Sequence, residues 1–232
     1  MESCEPPPRR RTGRPLSFDR NVALERAMLA FWRHGYETTS IVDLTTAMGV
    51  SAPSLYAAFG DKKQLFLEAM RLYAGDTEAM KRRIDGAPTA CDAARDMLTA
   101  AATAYTGEET PRGCLLASAT ASGSSASAGV QQAVAEIRHA IEAHLRDRIA
   151  RDIADGSLPP GTHAAALSGL VMAVTQGMST LARDGATRAS LLAIVDAALH
   201  GWPHPRARSP DPGPIAGLSD PAQAAAKSGR TG

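Results

Sequence analysis

Hydroxyls, cations and the Cys114 thiol are the groups in this chain that could do chemistry, and their spacing suits binding more than catalysis. Thr39, Ser40, Ser51, Ser54 and Tyr56 fall within residues 39–56, Lys62 and Lys63 follow, and Arg9, Arg10, Arg11 and Arg14 precede them. Hydroxyls donate to phosphate oxygens and cations neutralise them, so such a set fits a polyanionic partner. Residues 9–63 hold nine Lys/Arg and five Asp/Glu, a local excess of +4, while the whole chain carries only +1. No paired carboxylates, nucleophile–base pair or phosphate loop stands out, so no enzyme is expected. Cys4, Cys91 and Cys114 are odd in number and lack metal-ligand spacing, and His163, His200 and His204 show none with Asp, Glu or Cys. The expectation is no metal, no cofactor and a reducing compartment.

The elements that must position these groups read as helices. Alanine is abundant and β-branched runs are few, which favours helix over strand. Leu24, Ala27, Met28, Phe31 and Trp32 recur at helical spacing between about Ser17 and Gly35. Ser40 caps a second helix with Asp43 in its first turn, Ile41, Leu44, Ala47 and Met48 on its inner stripe and Gly49 at its end. Ser51 caps a third, with Pro53 in the first turn where its missing N–H removes no helical bond. Leu55 and Phe59 take that helix's inner face, which leaves Tyr56 and Ala57 pointing elsewhere, and Gly60 stops it. Asp61 caps a fourth helix, with Gln64 completing a capping-box pattern. Leu65, Phe66, Ala69, Met70 and Tyr73 carry this helix towards Ile84.

Two short helices joined by a tight turn at Gly49–Val50 read as a helix-turn-helix, the unit that lays its second helix in a DNA major groove. The surface offered there is Ser51, Ala52, Pro53, Ser54, Tyr56 and Ala57. It carries no Lys or Arg, so bidentate guanine contacts are not available from this helix. Specificity would come from serine hydrogen bonds, thymine methyl contacts, the arginine arm with Arg11 and Arg14, or DNA shape. The Tyr56 hydroxyl can reach a phosphate; the plainer reading is a half-buried core aromatic. Thr39 and Ser40 could touch phosphate from the start of the second helix, or serve only as caps. A helix-turn-helix that binds a protein is the alternative.

The segments "GYETTS", "AMGVS", "SLYAAFGDK" and "LF" stand in the order and spacing of the TetR family of transcriptional repressors, which residues 13–70 resemble. The resemblance implies an all-α chain of about nine helices. In it, an N-terminal three-helix helix-turn-helix domain precedes a C-terminal helical domain that dimerises and holds a small-molecule pocket. It also implies a palindromic double-stranded DNA operator, repression relieved by an effector, and a phosphate contact from Lys62.

The remainder fits that outline. Residues 1–16 read as a basic arm, 17–60 as the helix-turn-helix domain, 61–202 as the ligand-binding and dimerisation domain, and 203–232 as a Pro/Ser/Gly-rich disordered tail. Helices are expected over 89–106, near Gly113, from Val130 to Ile153, and over 163–183 and 188–200, with residues 120–129 as a loop. Met97, Tyr105, Cys114, Met172 and Met178 are pocket candidates, with Trp202 at its border. Ordinary core is the alternative for each. Cys114, at a helix start, could also be a thiol sensor; the alternative is a small buried side chain. The small-residue helices 164–182 and 190–201 suit a four-helix bundle across a two-fold axis, with Leu167, Leu170, Val174, Leu191, Val195 and Leu199 at the interface. No apolar run follows the Pro/Arg-rich start and no uncharged apolar stretch reaches membrane-span length. A cytoplasmic homodimer without a membrane partner is therefore expected.

Overall fold

The computed structural model describes residues 18–118 and 128–204, and every regular element among them is an α-helix. Arg11, Arg14 and the expected N-terminal arm, most of the expected loop at 120–129, and nearly all of the C-terminal tail lie outside the described residues. The helices are α1 (Arg20–His34), α2 (Ile41–Met48), α3 (Ala52–Phe59), α4 (Lys62–Ala74), α5 (Thr77–Gly86), α6 (Ala90–Tyr105), the one-turn α7 (Leu115–Ser118), α8 (Ala128–Ala154), α9 (Ala164–Arg183) and α10 (Arg188–His200).

Most ends sit where local chemistry puts them. Ser40 and Asp43 form a full capping box at α2, and the Ser51 hydroxyl accepts from the Ser54 N–H at α3. Asp61 accepts from the Gln64 N–H at 2.7 Å, which is half of the box expected there. The turn between α2 and α3 needs Gly49, whose φ of 70° is left-handed and costly for a residue with a Cβ. Three expectations change. The helix begins after Asp19 rather than at Ser17, because the Asp19 carboxylate accepts from the Asn21 and Val22 N–H groups. Ala47 is exposed, and Leu44 and Met48 carry the inner face of α2. The fourth helix does not run to Ile84: it breaks at Gly75, and Asp76 caps a separate α5 by accepting from the Glu78 N–H at 2.9 Å.

Helices α1 to α4 share one core. The Phe31 ring meets Phe66 of α4 edge-on at 5.0 Å, and Tyr36 packs on Phe66 at 4.9 Å. Leu44, Leu55 and Phe59 close the core from below. The second core is built by α6, α8, α9 and α10, with Leu98, Leu145, Ile149, Val171, Met178, Leu191 and Val195 inside.

Arg148 ties the two ends of the turn between α5 and α6. Its guanidinium donates to the carbonyls of Ile84, Ala87 and Pro88 at 2.8, 2.8 and 2.9 Å, and to the Asp152 carboxylate at 2.7 Å. Asp152 in turn accepts from the Ala90 N–H at 2.6 Å. A buried charge persists only when its donors are satisfied, and here they are.

Helix α9 is long and apolar enough to cross a membrane by length and composition, contrary to the expectation that no stretch is. It packs against α6, α8 and α10, yet only 22% of that apolar stretch is buried within the protomer.

Candidate nucleic-acid interface and cavity

Helix α3 is held by its neighbours and faces outward. Leu55 and Phe59 are buried, whereas Ser51, Pro53, Tyr56 and Ala57 are exposed, with Tyr56 at 48%. Ala52 and Ser54 are half-buried at its start. Ser40 is exposed at the start of α2, beside the free N–H groups of that helix. These residues form one continuous polar and small-residue surface along the two short helices.

Thr39 does not belong to that surface. It is fully buried, and its hydroxyl donates to the Gly35 carbonyl at 2.6 Å, so it fixes the approach to α2 instead of reaching a phosphate. Lys62 is partly committed too. Its Nζ donates to the Glu37 carbonyl at 3.3 Å and lies 4.6 Å above the Tyr36 ring, and burial holds its pKa below the usual lysine value. Two of its three N–H donors remain for another partner.

The local basic excess is smaller in space than in sequence. Arg20 pairs with Glu68 at 2.7 Å, donates to the Ala58 carbonyl at 3.3 Å and stacks on the Phe59 ring at 4.4 Å. Arg26 donates to the Met48 carbonyl at 3.4 Å. Both arginines therefore orient the α2–α3 unit. Sequence reasoning counted them only as charge; the signal was their position on α1, Arg20 at its first residue and Arg26 nearly two turns along.

Behind this unit, α4, α5, α6, α8 and α9 enclose a cavity of about 340 Å³. Met97, Tyr105, Cys114 and Met172, four of the pocket candidates, are among the residues that line it. Met178 does not: it is buried in the core of the second bundle, and Trp202 is buried away from the wall. Tyr73 of α4 lines the cavity and was read only as part of an apolar stripe. Its hydroxyl donates to the Cys114 sulfur at 3.4 Å, and its ring meets Trp32 of α1 edge-on at 4.9 Å. Cys114 is placed by its own N–H, which donates to the Ser179 hydroxyl at 2.8 Å. Gly113 before it has φ of 82°, and a Cβ there would lie 2.8 Å from the Ser179 carbonyl, so only glycine fits. Among the described residues no group of three or more His, Cys, Asp or Glu could hold a metal ion.

The expected interface residues divide. Leu170 is 45% exposed on α9, with Leu167 and Val174 half-buried beside it and Leu181 exposed further along. Leu191, Val195 and Leu199 are instead buried within the protomer, because α10 turns that face onto its own bundle. They fill the core and are not available to a partner.

A buttressed helix-turn-helix in front of a helical bundle with an apolar cavity defines a DNA-binding transcriptional regulator. Residues 23–69 match bacterial regulatory proteins of the tetR family, and residues 90–198 match the tetracyclin repressor-like C-terminal domain. The chain is 36% identical over 198 residues to the HTH-type transcriptional repressor ComR of Escherichia coli (strain K12), a match spanning 82% of this chain and 92% of ComR. It is 40% identical over 68 residues to the repressor BdcR of the same organism, spanning 29% of this chain and 34% of BdcR. A solved structure of the TetR family transcriptional regulator CifR, a cysteine mutant complexed with 26-bp double-strand operator DNA, superposes with a TM-score of 0.78. It is 41% identical and spans 82% of this chain and all of that one. The chain belongs to the TetR family.

Proposed function

We propose that the protein is a non-enzymatic, cytoplasmic, homodimeric repressor that binds a palindromic operator through α3 and is released by a small molecule held in the cavity. The observation that carries this reading is the span of α4. Its first turn, at Lys62, adjoins α3 and its last, at Tyr73, lines the cavity, so one rigid element touches both sites. The stripe on α9 with Leu170 and Leu181 exposed and Val174 half-buried between them supports a second copy as partner, since a two-fold dimer doubles the base pairs one helix-turn-helix reads. Residues 17–60 would bind DNA and 61–202 would bind effector and partner, with α4 shared between them. The operator-bound relative favours DNA over a protein partner for α3. Ser40, Ser51, Ser54, Tyr56 and Lys62 are the proposed backbone contacts, and Ala52, Pro53 and Ala57 the groove surface.

The test is fluorescence anisotropy of DNA from upstream of the protein's own gene, titrated at two salt concentrations beside Tyr56→Ala. Tight binding that weakens with salt and is lost in the variant supports the reading. Equal affinity for a random duplex refutes it for that DNA and sends the search to a selection from random sequences.

A thiol-responsive regulator is the second reading, favoured by the place of Cys114 on the cavity wall. Operator release by oxidant that persists in Cys114→Ser would rule it out.

A further inference from the structure

The cavity wall brings two phenols and one thiol together. Tyr73 donates to the Cys114 sulfur at 3.4 Å, and Tyr105 lines the wall beside the same thiol. Thiol sulfur is a weak acceptor, so the Tyr73 hydroxyl is held by a poor partner. Tyr105 is only 5% exposed. Burial first, and the neighbouring thiol second, push both phenols far above the usual tyrosine value, so both remain neutral donors at any biological pH. Around them the wall is apolar, with Met97, Ala101, Ile141 and Met172. Three charged residues also line the wall. Arg138 donates to the Leu116 carbonyl, Arg83 is exposed to solvent, and Asp96 lies nine residues before Tyr105 on α6, roughly 13 Å along the helix. The volume of about 340 Å³ is at the small end of ligand sites.

We propose that this cavity takes a neutral, mostly apolar molecule with one acceptor oxygen, a ketone being the simplest case, which Tyr73 and Tyr105 bind in place of the thiol. Tyr73 then carries occupancy to the DNA-binding helices, because its ring abuts Trp32, which is buried among the core residues of α1 beside Phe31. Exchanging a sulfur acceptor for an oxygen strengthens the Tyr73 hydrogen bond and gives the Tyr105 hydroxyl an acceptor, and apolar burial supplies the rest. The inference rests on the reading of the cavity as an effector site.

The experiment uses the full chain with acetophenone and 2-octanone as carbonyl probes, and ethylbenzene and octane as partners lacking the oxygen. Binding is read by calorimetry and by the Tm shift, transmission by tryptophan fluorescence, and operator affinity by anisotropy with and without probe. The ketones are expected to bind about tenfold tighter than their hydrocarbons. Tyr105→Phe should remove most of that preference. Tyr73→Phe should remove it too, and Trp32→Phe should abolish the fluorescence response while retaining ketone binding. Hydrocarbon binding as tight as ketone binding, or a ketone preference that survives both tyrosine variants, overturns the proposal. Failure of the unliganded protein to bind any operator would instead refute the repressor reading and leave the ketone preference as an independent result.

Discussion

The guanidinium of Arg20 lies 4.4 Å above the ring of Phe59, and this contact joins the first residue of α1 to the last residue of α3. The same side chain reaches the Ala58 carbonyl and the Glu68 carboxylate, so three helices meet on one cation. Arg20→Met keeps the apolar stem and loses these contacts. It is expected to lower operator affinity about tenfold with little change in helical content, as read by anisotropy and circular dichroism, because the pair is part-exposed and α3 loses its orientation more than its burial. Unchanged operator affinity would show that α3 is held by its apolar face alone.

Tyr56→Phe removes only a hydroxyl from an exposed ring. Operator affinity should fall about ten- to a hundredfold, the worth of one hydrogen bond to a charged acceptor. The salt slope should stay the same, because no cation is lost; Lys62→Gln should flatten the log–log slope by about 0.9.

Arg148→Ala leaves the Asp152 carboxylate buried without its counter-charge and removes the guanidinium from four carbonyls around the α5–α6 turn, those of Ile84, Asp85, Ala87 and Pro88. The expected cost is about 3–5 kcal/mol, a Tm fall of roughly 10 °C, measured by calorimetry. A fall of only a degree or two would mean that water replaces the guanidinium there.

Acid should unfold the protein in a defined window. Asp43, Asp76, Asp85 and Asp155 all have carboxyl pKa values held below the ordinary 3.8. Hydrogen bonds are the leading cause: from Ser40 to Asp43, from the Ala79 N–H to Asp76, from Lys81 to Asp85 and from Ser157 to Asp155. A carboxylate whose folded pKa is depressed stabilises the fold above its unfolded value and loses that contribution as pH falls through the folded one. Stability should therefore be level from neutrality to about pH 5 and drop below about pH 4. Asp43→Asn should shallow that drop in urea titrations taken at successive pH values.

Leu181→Glu and Leu191→Ala separate assembly from folding. The first places a charge on the exposed stripe of α9 and should shift sedimentation towards monomer while Tm moves little at low protein concentration. The second opens a core cavity and should cost about 2–5 kcal/mol.

Cap residues made the starts of α2 and α3 legible, because Ser40 and Ser51 each accept a hydrogen bond from a backbone N–H that nothing else satisfies. The helix-turn-helix and its outward face, Tyr56 included, followed from the spacing of Leu55 and Phe59. Periodicity says that a face is buried but not against what, which is why Leu191, Val195 and Leu199 were assigned to a partner and fill the protomer's own core. The break at Gly75 was hidden because apolar spacing continues through Met80 and Ile84. Tyr73 could not be told from an ordinary core aromatic, since its cavity side is formed by Tyr105 and Cys114, 32 and 41 residues further on.

The tie made by Arg148 bears on how the cavity can diversify. It fastens the α5–α6 turn from α8 through main-chain carbonyls, so it makes no demand on which side chains α5 and α6 turn inward. Substitutions at Met80, Met97 or Ala101 would reshape the cavity while the helices that carry them keep their places. Effector preference could thus drift across lineages at little risk to the fold, with the arginine serving as the fixed frame on which new specificities are tried.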